Sequence, residues 1–236
     1  MGTGAIPDAI ARRRGGLTAS TGVVAALPAE ARWLRASALA VRVGGVGAEH
    51  ARRAARALIA DGARALISWG TAAALAPTLS VGTLVLADRV VGDSVPLVPD
   101  RAWTARVAGA LDGVVPLIRG TIACPTDVLR NANEKRALAD RSGALAADME
   151  SAAIGAVARE AGLPWIVVRV ISDAADTVVP LSVVDAIDRK GALSWSRLLG
   201  GLLRKPGDLA ALPKLARGMQ LAGRTMMSVA SVLEAV

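Results

Sequence analysis

The chain has 236 residues, enough for one large domain or two small ones, and 53% are hydrophobic, so a sizeable core is easy to build. There is no Phe and no Tyr, which excludes a site that stacks its ligand on either; the core must be packed with Ala, Val, Leu and Ile. Net charge is +8, but eight cations and two anions after residue 188 hold +6 of it, so the basic character belongs to the tail.

One cysteine, Cys124, rules out an internal disulfide and agrees with a reducing cytosol. The first 19 residues have no apolar stretch long enough for a signal peptide, and with Arg12, Arg13 and Arg14 they read as a loose extension. No run of about 18 apolar residues exists, so a spanning helix is not expected.

In chain order, "VVAAL" at 23–27 reads as a buried strand and 39–43 as a second. "GGVGAEH" opens a helix over about Glu49 to Asp61. "ARALISWG" is a strand ending at Gly70, and "GTLVLADRVV" is another. A helix follows near Ala102 to Leu111, then a strand in "PLIRGTIACPTD" closing at Pro125. "NANEKRALADR" is a short helix with Asn131 as its cap. "GALAADME" runs from strand into a helix that stops on Gly162, with Pro164 beyond. "WIVVRVIS" lacks polar alternation and reads as a strand covered on both faces. Alternating strands and helices predict an α/β fold with a mixed, largely parallel central sheet. Residues 20–190 form the α/β domain in this reading, and 191–236 a basic amphipathic helical segment.

Ligands of open α/β sheets bind at the carboxyl ends of strands. Polar residues gather at five such ends: Glu30; Gly70 with Thr71; Asp127; Asp148 with Glu150; and Asp173 with Asp176. This convergence predicts one pocket mouth lined by acids. Taken singly, Asp148 and Glu150 fit the first turn of their helix equally well, and Asp173 fits a loop cap.

"AADMESAAIGAVAREAGLPWIVVRVISDAAD", residues 146–176, resembles the signature of the purine nucleoside phosphorylase and nucleosidase superfamily. It is closest to the branch that includes methylthioadenosine/S-adenosylhomocysteine nucleosidase. "ALPAE", the segment from "GGVGAEH" through "VLAD", and "PTDVLRN" agree in the same order, so the resemblance covers about residues 20–185. The short linker after Asp88, the aromatic-poor pocket and the basic apolar tail look like the hopanoid-associated phosphorylase subgroup. That subgroup is linked to removal of adenine from adenosylhopane.

The resemblance implies a three-layer αβα sandwich and cleavage of an N-riboside bond. Such cleavage builds positive charge on the sugar and negative charge on the base. Asp173 would be the general acid at the base, protonated or taking its proton from a neighbour. Glu150 would accept hydrogen bonds from the ribose hydroxyls, and Met149 would pack under the ribose; as a soft core filler Met149 has an equally good structural account. Asp148 reads as a helix cap. Glu30 would activate water, as in the nucleosidase branch; its other reading is a solvated helix-start acid beside Arg32.

Relatives that use phosphate place an arginine where this chain has Ser68, which favours water, although Gly70, Thr71 and nearby N–H groups could nest a small anion. Inorganic phosphate therefore stays open as co-substrate, and neither a metal nor another cofactor is implied. At the base pocket, Leu129 replaces a stacking Phe, with the backbone of Val128 and Arg130 left to read the adenine edge. Val183 stands where relatives have an aromatic, and with Leu181 and Val184 makes an aliphatic wall for a bulky 5′ substituent or for the core alone. His50 pads its helix and Cys124 is a buried strand residue. The alternatives are a methylthioadenosine/S-adenosylhomocysteine nucleosidase, which the missing aromatics count against, and a non-catalytic nucleoside-binding protein on the same fold.

In the tail, Leu193, Trp195, Leu198, Leu199, Leu202 and Leu203 share an apolar face beside Arg197, Arg204 and Lys205. Basic amphipathic helices of this kind lie in membrane interfaces or pack on a domain. The expected setting is the cytoplasm, with the inner membrane face as a docking surface. The expected partners are a lipid-linked nucleoside and a second copy of the chain; no nucleic-acid-binding module is present.

Overall fold

The computed structural model describes residues 21–34, 39–186 and 194–233. The extension expected over 1–19, and Leu193 of the tail, lie outside the described residues. The strands are β1 (Thr21–Ala25), β2 (Ala40–Val43), β3 (Ala65–Ala74), β4 (Leu84–Val91), β5 (Leu117–Ala123), β6 (Ala146–Ala147) and β7 (Trp165–Asp173). The helices are α1 (Pro28–Ala31), α2 (Ala48–Ala60), α3 (Arg101–Leu111), α4 (Ala132–Ser142), α5 (Ser151–Glu160), α6 (Leu181–Val184), α7 (Trp195–Arg204) and α8 (Leu212–Leu233). Local chemistry sets several bounds. Asn131 accepts from the backbone of Asn133 and Glu134 at the start of α4, and Gly143 ends that helix in the left-handed region.

The strands form one seven-stranded sheet in the order β2-β1-β3-β6-β5-β4-β7, and β7 also pairs with β3, so the sheet curls back on itself. β1–β2, β1–β3, β3–β7, β4–β5 and β5–β6 are parallel; β3–β6 and β4–β7 are antiparallel. Strand alternation splits the core between two faces. Val24, Leu66, Val167 and Ile171 face α2 and α5, where they meet Leu58, Ile154 and Val157. Val23, Ile67, Trp69, Ile166, Val168 and Val170 face the other side, where they meet Trp103, Val107, Met226 and Val229. This is the expected three-layer arrangement.

β3 is longer than the sequence suggests. It does not stop at Gly70 but continues to Ala74, because β7 pairs along its length and β6 joins at Ala73 and Ala74. This continuation brings three strand ends together, since Ala73 pairs with both Asp173 and Ala147.

The basic tail also differs from the simple amphipathic picture. The later part of α8 buries Ala222, Met226, Val229, Ala230 and Leu233 in the second core face. At Gly218 a side chain would stand 2.1 Å from the carbonyl oxygen of Ser172, so α8 lies flush against β7. Among its described side chains, α7 buries Leu198 and Leu202, against Val183, Ala186 and Leu212. Its Leu199 and Leu203 are 58% and 84% exposed. No helix among the described residues is long and apolar enough to cross a membrane.

Met226 tests the role of α8. Met226→Ala should destabilise the fold by about 2–5 kcal/mol, read from the urea midpoint at constant slope. A change below about 0.5 kcal/mol would mean that α8 is not part of the cooperative unit.

Candidate active site

Arg169 lies in the middle of β7 and is buried. Its Nε is 2.8 Å from Asp148 Oδ2 and its Nη2 is 3.4 Å from Glu150 Oε2, two ion pairs sealed from water. Nη2 also donates to Ser68 Oγ at 3.0 Å, and Nη1 to the carbonyl of Thr71 at 3.3 Å. The Nε–H is not aimed at a hydrogen-bond acceptor. Burial alone would pull the guanidinium's pKa down, but Asp148, Glu150 and Glu30 outweigh it and hold the pKa above its ordinary value.

Asp148 serves two purposes. Its Oδ1 accepts from the backbone N–H of Glu150 at 3.0 Å and Ser151 at 2.9 Å, so it caps the start of α5 as expected. It also accepts a short hydrogen bond from the Ser151 hydroxyl and pairs with Arg169. Cys124 Sγ donates to it at 3.1 Å. Burial, followed by the Asp148 charge, pushes that thiol well above its ordinary range, so it is a poor nucleophile.

Glu150 accepts from the Gly47 backbone N–H at 2.8 Å, which joins the turn before α2 to the site. Glu30 is buried, not the solvated acid of its alternative reading. Its Oε1 accepts from both the N–H and the hydroxyl of Thr71 at 2.8 Å, and its Oε2 from the Leu27 N–H at 3.0 Å. Gly70 is required for this approach. A Cβ there would sit 2.5 Å from Arg169 Nη1 and 2.8 Å from Glu30 Oε1, and φ is +156°. Gly70 and Thr71 therefore hold the glutamate. Thr71 N–H, expected in an anion nest, is already taken by Glu30.

Asp173 ends β7, four residues beyond Arg169. Its surroundings are more polar than an apolar strand end: Oδ2 lies 2.5 Å from Lys135 Nζ, and Oδ1 accepts from Ser172 Oγ at 3.0 Å. A cavity of about 990 Å³ has Cys124, Val128, Leu129, Met149 and Val184 in its lining, whereas Glu30, Glu150 and Asp173, expected to line one pocket mouth, are not among its lining residues. Val184 reaches it where Val183 was expected; Val183 turns to α7 instead. The two other strand-end acids are peripheral. Asp127 is exposed on the rim, and Asp176 pairs with Lys214 at the surface. His50 is half-buried on α2, with Nδ1 3.0 Å from Arg53.

Sequence reasoning passed over Arg169 and Lys135. Arg169 is the one charge inside "WIVVRVIS", and a charge in a strand covered on both faces needs a partner. Lys135 shares its helix face with buried Leu138, three residues on.

The sequence pattern of the phosphorylase superfamily matches residues 33–204, and the chain belongs to that family. It is an enzyme of the nucleosidase or nucleoside phosphorylase kind. Solved structures share its fold. The 5′-methylthioadenosine/S-adenosylhomocysteine nucleosidase of Helicobacter pylori, bound to butyl-thio-DADMe-Immucillin-A, superposes with a TM-score of 0.68 at 16% identity, over 90% of this chain and 95% of that one. The futalosine hydrolase of Helicobacter pylori strain 26695 gives 0.67 at 17%, over 89% and 97%. The S-adenosylhomocysteine nucleosidase of Streptococcus pyogenes, bound to 5-methylthiotubericidin, gives 0.70 at 20%, over 94% and 97%. No curated relative matches by sequence.

Burial pushes the Glu150 carboxyl up to about 7; Arg169 opposes the rise and Asp148 adds to it. In an unfolded chain a glutamate titrates at about 4.3. Between these values the folded state holds the extra proton, so the contribution is complete below the lower value and is lost as pH rises through about 7. Tm should therefore fall across this window, and Glu150→Gln should flatten the fall. An unchanged slope in the variant would assign the titration to another group.

Proposed function

We propose that the chain hydrolyses the N-glycosidic bond of a 5′-substituted adenosine, releasing adenine, and that adenosylhopane is its substrate. One observation carries the choice of water: Arg169, the one buried arginine among the described residues, is already paired with Asp148 and Glu150. A phosphate dianion entering there would meet two carboxylates before it gained a cation. Water meets no such opposition, and Glu30 stands across Gly70 from Arg169 to orient and deprotonate it.

The other groups follow in order. Glu150 accepts the ribose hydroxyls as a carboxylate, and its charge faces the cation that develops on the sugar. Met149 packs under the ribose. Val128 and Leu129 border the base, and Asp173 gives it a proton. Leu129 and Val184 supply aliphatic contact without a stacking ring, which suits a terpenoid better than a compact thioalkyl group. No residue type in this set calls for a metal or an organic cofactor.

A lipid-borne substrate explains α7. Exposed Leu199 and Leu203 lie one turn apart beside exposed Arg197, Arg204 and Lys205, a combination suited to an anionic bilayer surface. The opposite side of α7 packs on α6, whose Val184 lines the cavity. A homodimer belongs to the same reading. The groove beside Met149 carries Val95, Ala152 and Ala156 with charges of both signs, Arg52 and Arg159 against Glu49 and Glu160.

Incubation with adenosylhopane in vesicles, with and without phosphate, tests the reaction. Adenine and a free ribosyl product are expected in both cases, and Glu30→Gln should lower the rate by about 10²-fold or more while binding persists. A phosphorylated sugar would replace water by phosphate, and no adenine at all would leave a binding protein. For the membrane surface, Leu199→Glu with Leu203→Glu should reduce sedimentation with anionic vesicles without lowering Tm. Unchanged sedimentation would remove α7 from membrane contact. Deleting α8 would be a poor test, because it strips one face of the core.

A further inference from the structure

We propose that Lys135 is a positioning residue for protonation of the departing base, acting through Asp173; this rests on the reading of Asp173 as the general acid. Lys135 is fully buried on α4. Its ammonium donates to Asp173 Oδ2 at 2.5 Å, to the Ala174 carbonyl at 2.7 Å and to the Thr177 carbonyl at 3.2 Å. An ammonium has three donors, and all three are used. Lys135 therefore has none left for a ligand and influences the site only through these contacts. They hold the acid and the chain immediately behind it.

The same helix also positions the base pocket. Asn131 caps α4, and Glu134 accepts from the Arg130 backbone N–H at 2.7 Å. The Arg130 carbonyl in turn accepts from Val179 N–H at 2.9 Å. Val128 and Leu129, just before this cap, line the cavity. One rigid element thus sets both the edge where a purine would lie and the carboxyl that would protonate it. Stability alone gives little reason for a lysine here. Burying an ion pair commonly gains nothing over an apolar residue of similar volume.

The proton step explains the charge. As the N-glycosidic bond breaks, its electron pair moves into the purine. Asp173 takes a proton from solvent on Oδ1 before this step, while Oδ2 stays on the ammonium; that O–H bond then breaks and a purine N7–H bond forms, leaving a carboxylate whose charge both oxygens share. The Lys135 ammonium, unchanged, already faces one of the two oxygens on which that negative charge develops.

The test compares 5′-octylthioadenosine with its N7-methylated form, whose base needs no proton to depart. Release of the base by the full chain is measured above the uncatalysed rate. Lys135→Met should lower kcat on the unmethylated nucleoside by about 10²-fold or more with KM little changed. On the methylated form it should stay within about threefold of the unaltered chain. Equal losses on both would make Lys135 merely structural, and no loss on either would remove it from the reaction; each overturns the proposal. If Lys135→Met fails to fold, Lys135→Gln, one atom shorter and with two donors but no charge, reads the same ratio. An unaltered chain that cleaves neither nucleoside would overturn the proposed function, and the role of Lys135 with it.

Discussion

The buried charge of Arg169 is the constraint on which the rest of the site depends. A guanidinium inside a strand covered on both faces is costly unless carboxylates meet it there. Asp148 and Glu150 do so from the start of α5, the Ser68 hydroxyl oxygen accepts from it on β3, and Glu30 stands across Gly70. Four segments far apart in the chain are thereby drawn to one point. The helix cap of α5, the glycine in β3 and the buried acid after β1 answer to the same cation.

This arrangement also explains the division of labour among the acids. Asp148 is saturated by backbone and side-chain donors and is held for structure. Glu150 has one backbone donor and a longer contact to the arginine, and its raised pKa leaves it closer to the point of proton exchange. Asp173 stands apart at the end of β7 with a cation of its own. Arg169 in the middle of β7 and Lys135 against its end thus give the two groups of carboxylates separate cations.

Much of this was legible in the chain. Apolar runs bounded by Gly and Pro marked the strands, and Asn131 and Gly162 marked helix ends where they occur. The strand-end rule located Glu30, Glu150 and Asp173. Two things were hidden. The continuation of β3 past Gly70 depends on partners from residues 146–147 and 165–173, which no local pattern announces. The roles of Arg169 and Lys135 depend on which carboxylate lies opposite, and charge spacing along the chain carries no such information.

The sequence by itself determined the class of fold and the chemical types available: acids at strand ends, a pocket without aromatic rings, a basic tail. Periodicity and turn residues act over a few positions, so they can be read in one dimension. Only the tertiary structure decided which acids are buried together, which valine reaches the cavity, and that the later part of α8 is core while α7 exposes Leu199 and Leu203. Burial and ion pairing are properties of surfaces brought together from distant segments, and the energy of a charge is set by the groups that enclose it rather than by its neighbours in the chain.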